Sequence, residues 1–349
     1  MSTAIPVAVL GATGYAGEHS IRILLGHPGF RIVHAGSDRL AGTALAEAVP
    51  AFAGETDLIL APDTPEAIRA SEAQAVVLCK KSPEVTKVVP ALLEAGLRLV
   101  DIGAEFRLKD PAAYATWYKA EHDCPELLAE AVYGLSEVAA DAIAAARVVG
   151  NPGCYATSML LPLIPLLKAD LIDTSRAMVV VGYSGVSGAG KRFIEGNNNL
   201  YYAMDGNIHS YKALGHQHQA EVDQELSTIA GKPVHVQFVP HLAPLTRGIH
   251  STISCTLKPG ADAAAATAAW RAAYQGRPFV RIHADPKSVE VANVAGTNYC
   301  DIGCVNDGDC LVICSAIDNL VKGAAGQAIQ NLNLMYGYDE ALGLRNRGI

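Results

Sequence analysis

No apolar run in this chain approaches the roughly 20 residues needed to cross a bilayer, and MSTAIPVAVLGATGYAG at its start shows no basic stretch leading into a long apolar one. Neither a membrane span nor a secretory leader is expected, and the reading places the protein in the cytoplasm. One-sided charge is lacking too. The 27 Lys and Arg are scattered rather than gathered into a stripe, and the net charge is -8, so nucleic acid is not an expected partner. Internal repeats, low-complexity tracts and flexible Gly/Ser linkers are absent, which predicts domains that meet in a tight interface with a cleft. Aromatic residues make up only 6%, yet half the chain is hydrophobic and 18% is charged, which excludes a disordered protein. At 349 residues the chain is too long for one ordinary core, and two domains are expected.

Eight cysteines lie at positions 79, 124, 154, 255, 300, 304, 310 and 314. Diluted over a long chain, they read as reduced and mostly buried thiols rather than a disulfide framework. The segment NYCDIGCVNDGDCLVIC holds four of them, but the spacing within each pair is three residues rather than the two of a CxxC knuckle. Its alternation with apolar residues fits strands, and no metal is expected.

Along the first half, short apolar runs alternate with amphipathic stretches: IPVAVL, EHSIRILLG, RIVHAG, AVVLCK, RLVDIG and RVVGN. This is the pattern of a parallel, doubly wound α/β sheet. After about residue 152 the texture changes to β-rich runs such as AMVVVGYSG, VHVQFVPHLAP and GIHSTISCTLK, broken by an Asn-rich patch, which predicts a second, α+β domain. DNLVKGAAGQAIQNLNLMYG reads as one long closing helix with Asp318 as a candidate cap.

Gly11, Gly14 and Gly17 of VLGATGYAG follow a predicted strand and open a predicted helix, where bare backbone lets a pyrophosphate approach the helix amides. With Thr13 and Tyr15 between them, they form the candidate dinucleotide turn, although the spacing is GxxGxxG and any tight strand-to-helix turn selects glycine. At the end of the next strand, Ser37, Asp38 and Arg39 give a split signal: an acidic residue favours the ribose 2′-hydroxyl of NAD, whereas Arg accommodates the 2′-phosphate of NADP.

RVVGNPGCYATSMLL carries the sharpest signal. A buried strand runs into a Gly-bounded turn that delivers Cys154 at a helix start, where the dipole and first amides stabilise a thiolate. Cys79 and Cys255 sit within apolar strand runs and read as core. A thiolate nucleophile needs a proton partner, and GHQHQAEV offers His216 and His218. Two histidines with only Glu221 nearby make an incomplete zinc set. Arg107 in DIGAEFRL and Arg247 in PLTRGIHS each follow a strand-like run and are candidate clamps for a carboxylate or phosphate, against the plainer reading of surface ion pairs. YSGVSGAGK adds Ser184, Ser187, Gly188 and Lys191 in an anion-friendly loop that lacks P-loop spacing.

Taken together, GATGYAG, DIGAEFRL, YGLSEV, GNPGCYATS, SGVSGAGK, GHQHQAEV, PHLAPLTRGI, GTNYCDIG and DNLVKGAAGQA are similar, over nearly the whole chain and in order, to the long form of the N-acetyl-gamma-glutamyl-phosphate reductase family. That resemblance implies a Rossmann domain over 1–151 completed by a C-terminal helix at about 319–349. It also implies a catalytic and oligomerisation domain of the semialdehyde dehydrogenase type over 152–318. It further implies NADP as cofactor, a small acyl phosphate as substrate, a homodimer or homotetramer, and a thioester mechanism. By the same resemblance Cys154 is the nucleophile and His216 the general acid and base. Asn319 and Lys322 match the family's cofactor-side helix start, while the residues' own context makes Arg107, Arg247, Ser184 and Lys191 the candidates for the substrate and Ser37, Arg39, Ser187 and Gly188 those for the cofactor. The chain departs from the family at Ala156 and Ser136, where Pro is usual, and at residues 80–84, where KKSPE replaces a PHG-type turn. A sister family in lysine biosynthesis reduces acyl phosphates tethered to a carrier protein, but the chain shows no basic cluster for an acidic carrier beyond Lys80 and Lys81. Two further alternatives are a redox sensor using Cys154 without catalysis and a phosphate-independent semialdehyde oxidoreductase.

Overall fold

A computed structural model describes residues 4–80, 84–191 and 200–345. The chain divides into two compact units, one ending at Pro152 and joined by Ala324–Arg345, the other spanning Gly153–Gly323. Lys81 and most of the Asn-rich patch lie outside the described residues.

The first unit is built on a seven-stranded sheet. In chain order its strands are β1 (Ile5–Leu10), β2 (Phe30–Gly36), β3 (Leu60–Ala61), β4 (Ala75–Leu78), β5 (Arg98–Asp101), β6 (Val132–Tyr133) and β7 (Val148–Gly150). Their spatial order is β3-β2-β1-β4-β5-β7-β6, and every pairing is parallel. Parallel strands are covered on both faces, which explains why β4 is buried at all four positions and reads as an unbroken AVVL. The expected doubly wound α/β architecture is borne out. The two-residue strands β3 and β6 carry too little pattern to be read from sequence. The order reverses between β1 and β4, and at such a switch point the loops leaving the two strands part to form a crevice.

The closing segment is corrected. Instead of one long helix, Val321–Ala325 forms a π-helical turn and Gly326–Met335 an α-helix. The Gly323 amide reaches back five residues to the Asp318 carbonyl, the spacing of a π turn. Asp318 does cap, accepting from the Leu320 and Val321 amides. The α-helical part packs in the first unit, where Ser136 replaces the family's usual Pro with a useful hydroxyl. It donates to Asn331 Oδ1 at 2.6 Å and accepts from Gln327 Nε2 at 2.7 Å, fully buried.

The second unit holds a mixed seven-stranded sheet. Its strands are β8 (Met178–Ser184), β9 (His209–Ser210), β10 (Val236–Leu242), β11 (Ile249–Thr256), β12 (Val280–Ile282), β13 (Cys300–Asp307) and β14 (Cys310–Ile317), in the order β12-β13-β14-β11-β8-β10-β9. Burial alternates residue by residue along β8 and β11, as expected when one face is covered. Helices Cys154–Lys168, Gln217–Ala230 and Ala263–Ala273 pack against this sheet. The cysteines of NYCDIGCVNDGDCLVIC fall on the β13-β14 hairpin, as the alternation predicted.

The Cys154–Lys168 helix stays helical through Pro162 and Pro165. Pro165 cannot donate to the Leu161 carbonyl four residues back. The Tyr274 hydroxyl takes that place, donating to Leu161 O at 2.5 Å. Residues 155–166 of this helix are all buried, so it serves as the rigid axle of the second unit and fixes its own first turn.

Candidate active site

In the first unit, β1 ends in the glycine turn. Gly11 adopts φ +73°, a left-handed backbone that glycine takes without steric cost. A Cβ on Gly17 would collide with the Gly11 carbonyl oxygen and Ala12, so glycine is required for the helix to start this close to the strand. The helix Tyr15–Leu25 begins at Gly14 without a side-chain cap, leaving first-turn amides of the kind that bind phosphate. Thr13 and Tyr15 complete the turn. At the end of β2, Ser37 is buried and Arg39 exposed.

Beside this turn is a group that the sequence did not mark as a unit. Lys80, just past β4, lies with its Nζ 2.6 Å from Asp38 Oδ2 and 2.5 Å from Asp63 Oδ2. Asp38 Oδ1 also accepts the Asp63 amide at 2.8 Å. Burial pushes the Asp63 carboxyl up to about 6, against the pull of Lys80.

Arg107, also in the first unit, is buried. It donates from Nε to Asn151 O at 2.7 Å and from Nη2 to Ile102 O at 2.8 Å. It is thus not an exposed arginine waiting for an anion, and it braces the strand end that precedes the Cys154 turn.

The second unit assembles the nucleophile. Cys154 is the first residue of its helix and partly exposed, with Gly153 as the N-cap residue. Glu221, fully buried, accepts the Gly153 amide on Oε2 at 2.8 Å. The His218 ring lies so close to Gly153 that a Cβ there would meet it at 2.5 Å. On the other side, a Cβ on Gly323 would meet Cys154 Cβ at 2.6 Å. Glycine at 153 and 323 therefore makes the room in which the thiol sits.

His216 caps the Gln217–Ala230 helix, its Nδ1 accepting the His218 amide at 3.1 Å. That bond fixes the tautomer: the neutral ring carries its proton on Nε2. Tyr155, Tyr211, His218 and Phe238 surround the ring at centroid distances of 4.5 to 5.7 Å. His216 is buried among them, which limits the ring's freedom to turn.

The remaining candidates are more committed than their sequence context showed. Arg247 forks onto Asp318, with Nε 2.8 Å from Oδ2 and Nη2 3.2 Å from Oδ1. In the YSGVSGAGK loop, the amides of Gly185, Val186, Ser187, Gly188 and Gly190 all bond to protein carbonyls. This corrects the expectation of an anion-friendly loop: these amides form no open backbone nest. Ser184 Oγ donates to Gly185 O. A Cβ on Gly188 would meet that hydroxyl at 2.8 Å. Asn319 Nδ2 donates to Ser187 Oγ at 3.0 Å, and its Oδ1 accepts the Gly248 amide at 2.6 Å. Lys322 is fully buried, with Nζ 5.9 Å from the Phe279 ring centre.

Five of the other cysteines are poor nucleophiles. Burial pushes the thiols of Cys79, Cys124 and Cys255 up to about 12 and raises those of Cys304 and Cys314. Cys310 is exposed.

Glu221 and Asp318, which the sequence marked only as a carboxylate near the two histidines and a helix cap, make contacts it did not assign: Glu221 holds the Gly153 amide and Asp318 the Arg247 guanidinium. Glu221 stands three residues after His218 on one helix, which puts both on the same face, and that spacing was the available signal.

Comparison with known proteins follows the same division. A family model described as "Semialdehyde dehydrogenase, NAD binding domain" matches residues 6–146, and one described as "Semialdehyde dehydrogenase, dimerisation domain" matches residues 154–319. N-acetyl-gamma-glutamyl-phosphate reductase of Halorhodospira halophila is 43% identical, covering 97% of this chain and 98% of that protein. The protein of that name from Symbiobacterium thermophilum is 42% identical over 99% of this chain and 98% of its own. Among solved structures, aspartate semialdehyde dehydrogenase II of Vibrio cholerae, complexed with ASA, superposes with a TM-score of 0.73 at 19% identity, covering 96% of this chain and 99% of that one. Aspartate semialdehyde dehydrogenase of Candida albicans with NADP gives 0.72 at 17% identity, with the same two coverages. At those identities the likeness is one of fold.

Proposed function

The chain belongs to the N-acetyl-gamma-glutamyl-phosphate reductase family, and from that premise we propose that it reduces N-acetyl-gamma-glutamyl phosphate to N-acetylglutamate semialdehyde and phosphate, in the cytoplasm, as a step of arginine biosynthesis. It is an oxidoreductase of the phosphorylating semialdehyde dehydrogenase class. The observation that carries the reading is Cys154 at the start of a wholly buried helix, with Glu221 holding the preceding amide and a caged histidine on the neighbouring helix start. The matching dimerisation domain supports association of copies, for which a homodimer or homotetramer is proposed.

The glycine turn fits a nicotinamide dinucleotide: Gly11 and Gly17 leave no side chain between the strand end and the uncapped helix start, where a pyrophosphate is stabilised by amides and dipole. The match to an NAD binding domain supports the same group. For its phosphorylated form, NADP, the support is Ser37 and Arg39 at the end of β2. Arg39→Ala is expected to narrow the preference for NADP over NAD by about tenfold, the lower end for a hydrogen bond to a charged group at an exposed site. The ratio of dissociation constants checks this, and an unchanged ratio contradicts it.

The chemistry assigned to the protein's own groups runs in order. The helix start holds Cys154 as thiolate, which adds to the acyl phosphate carbonyl; the C–S bond forms, the C–O bond to phosphorus breaks, and phosphate departs. A nicotinamide cofactor held at the glycine turn would supply the hydride for reducing the resulting thioester. His216, with its proton on Nε2, is arranged to donate to the oxygen that gains charge and to take the proton back as the C–S bond breaks, freeing aldehyde and thiolate. Glu221 and His218 keep the Gly153 backbone from shifting. For the substrate's anionic ends the proposed donors are Arg247, Lys191, Ser184 and Arg107. Arg247 is pre-aimed by its fork on Asp318.

The names of the relatives favour a free substrate over a carrier-tethered one. The test is run in the oxidative direction, comparing free N-acetylglutamate semialdehyde with the same aldehyde on a carrier protein. NADP reduction that requires phosphate and proceeds efficiently with the free aldehyde is the expected result. Turnover of the tethered form alone, or turnover independent of phosphate, overturns the assignment.

A further inference from the structure

We propose that Lys80 is a specificity-determining residue for the cofactor, acting by tying down Asp38 so that Ser37 and Arg39 alone read the ribose 2′ position. The inference rests on the NADP reading above and adds a residue that lies where the chain departs from its family. A carboxylate at the end of the second strand ordinarily accepts from the ribose hydroxyls and repels a 2′-phosphate. Asp38 stands at that position, yet both its oxygens are engaged within the protein: Oδ1 accepts from the Asp63 amide at 2.8 Å, and Oδ2 from Lys80 Nζ at 2.6 Å.

Three features place Lys80 at the cofactor turn. It follows β4, which pairs directly with β1, so that Lys80 and the glycine turn leave adjacent strands on either side of the switch point. A Cβ on Gly11 would meet Lys80 Cγ at 3.0 Å, which puts the lysine stem against the first glycine of the turn. Asp63, the second partner of its ammonium at 2.5 Å, lies against the end of β2, where a Cβ on Gly36 would meet its Oδ1 at 1.6 Å. The lysine side chain is only 13% exposed, and at this burial it holds one geometry rather than sweeping through solvent. Charge bookkeeping gives the consequence. With Lys80 present, an ammonium sits 2.6 Å from the Asp38 carboxylate; without it, that carboxylate is left to accept from the ribose hydroxyls, and a dianionic 2′-phosphate is opposed.

The test is a cycle of dissociation constants for NAD and NADP, measured by calorimetry on the full-length protein. Lys80→Met is made together with Asp63→Asn, so that removing the ammonium leaves no buried carboxylate unpaired, and thermal unfolding monitors the fold. That pair is expected to lower the NADP preference by about tenfold, and adding Asp38→Asn to return it to within about threefold of the starting ratio. Asp38→Asn alone, at an exposed position, is the second arm. Since Lys80 already occupies that carboxylate, NAD affinity is expected to change by less than about twofold. An unchanged ratio in the Lys80→Met pair, no recovery with Asp38→Asn, or a tenfold loss of NAD affinity in Asp38→Asn alone overturns the proposal. If the unaltered protein binds NAD and NADP equally, the NADP reading itself fails, and the dependence of the Asp38 effect on Lys80 is still read from NAD binding.

Discussion

Cys154→Ala is expected to lower kcat by about four orders of magnitude or more, while the dissociation constant for the nicotinamide cofactor stays within about twofold. The size of the effect follows from the role. Without the thiolate there is no thioester, and an acyl phosphate must then accept hydride directly at a carbonyl that nothing holds in place. Cys79, Cys124 and Cys255 offer no substitute, because burial raises their thiols to about 12. Cofactor affinity is spared because Cys154 belongs to the second unit, whereas the glycine turn and the Ser37–Arg39 corner belong to the first. Single-turnover rates and cofactor titration measure the two quantities separately, and a comparable loss in both would mean that the thiol supports the fold rather than the chemistry.

His216→Asn is expected to reduce kcat by about a hundredfold to ten-thousandfold, the range for loss of a positioned proton carrier. Asparagine is chosen because its amide oxygen can accept the His218 amide in place of Nδ1, so the helix keeps its N-cap. His216→Ala removes the cap as well and is expected to cost a further ~1 kcal/mol of stability. Turnover that is low in both variants, with a melting temperature reduced only for alanine, identifies a proton carrier. Full activity in His216→Asn assigns that role elsewhere, with His218 the first candidate.

Much of this site was legible because its residues sit where local backbone rules are strict. A glycine forced to φ +73° after a strand, or a cysteine placed at the first position of a helix by a Gly-Asn-Pro-Gly turn, announces itself in a dozen residues. The parallel sheet was legible for a similar reason: strands buried on both faces lose their alternation and become unbroken apolar runs. What escaped depends on contacts between distant positions. Arg107 and Arg247 look identical from sequence, but one is spent on backbone carbonyls and the other on Asp318, 71 residues away. Nothing local distinguishes Asp38 as a free ribose ligand from Asp38 held by a lysine 42 positions on. The closing helix failed in the opposite way. Its apolar spacing was read correctly, but periodicity does not encode the π turn at Val321–Ala325, within which Gly323 lies against Cys154.

The most direct measurement is to capture the acyl enzyme. The protein is mixed with N-acetyl-gamma-glutamyl phosphate and oxidised cofactor, so that acyl transfer can occur but reduction cannot, then quenched in acid and mapped by mass spectrometry. One N-acetylglutamyl group on Cys154, formed with a burst of one phosphate per site, is the expected result. Phosphate release without an adduct, or an adduct on any other residue, contradicts the account.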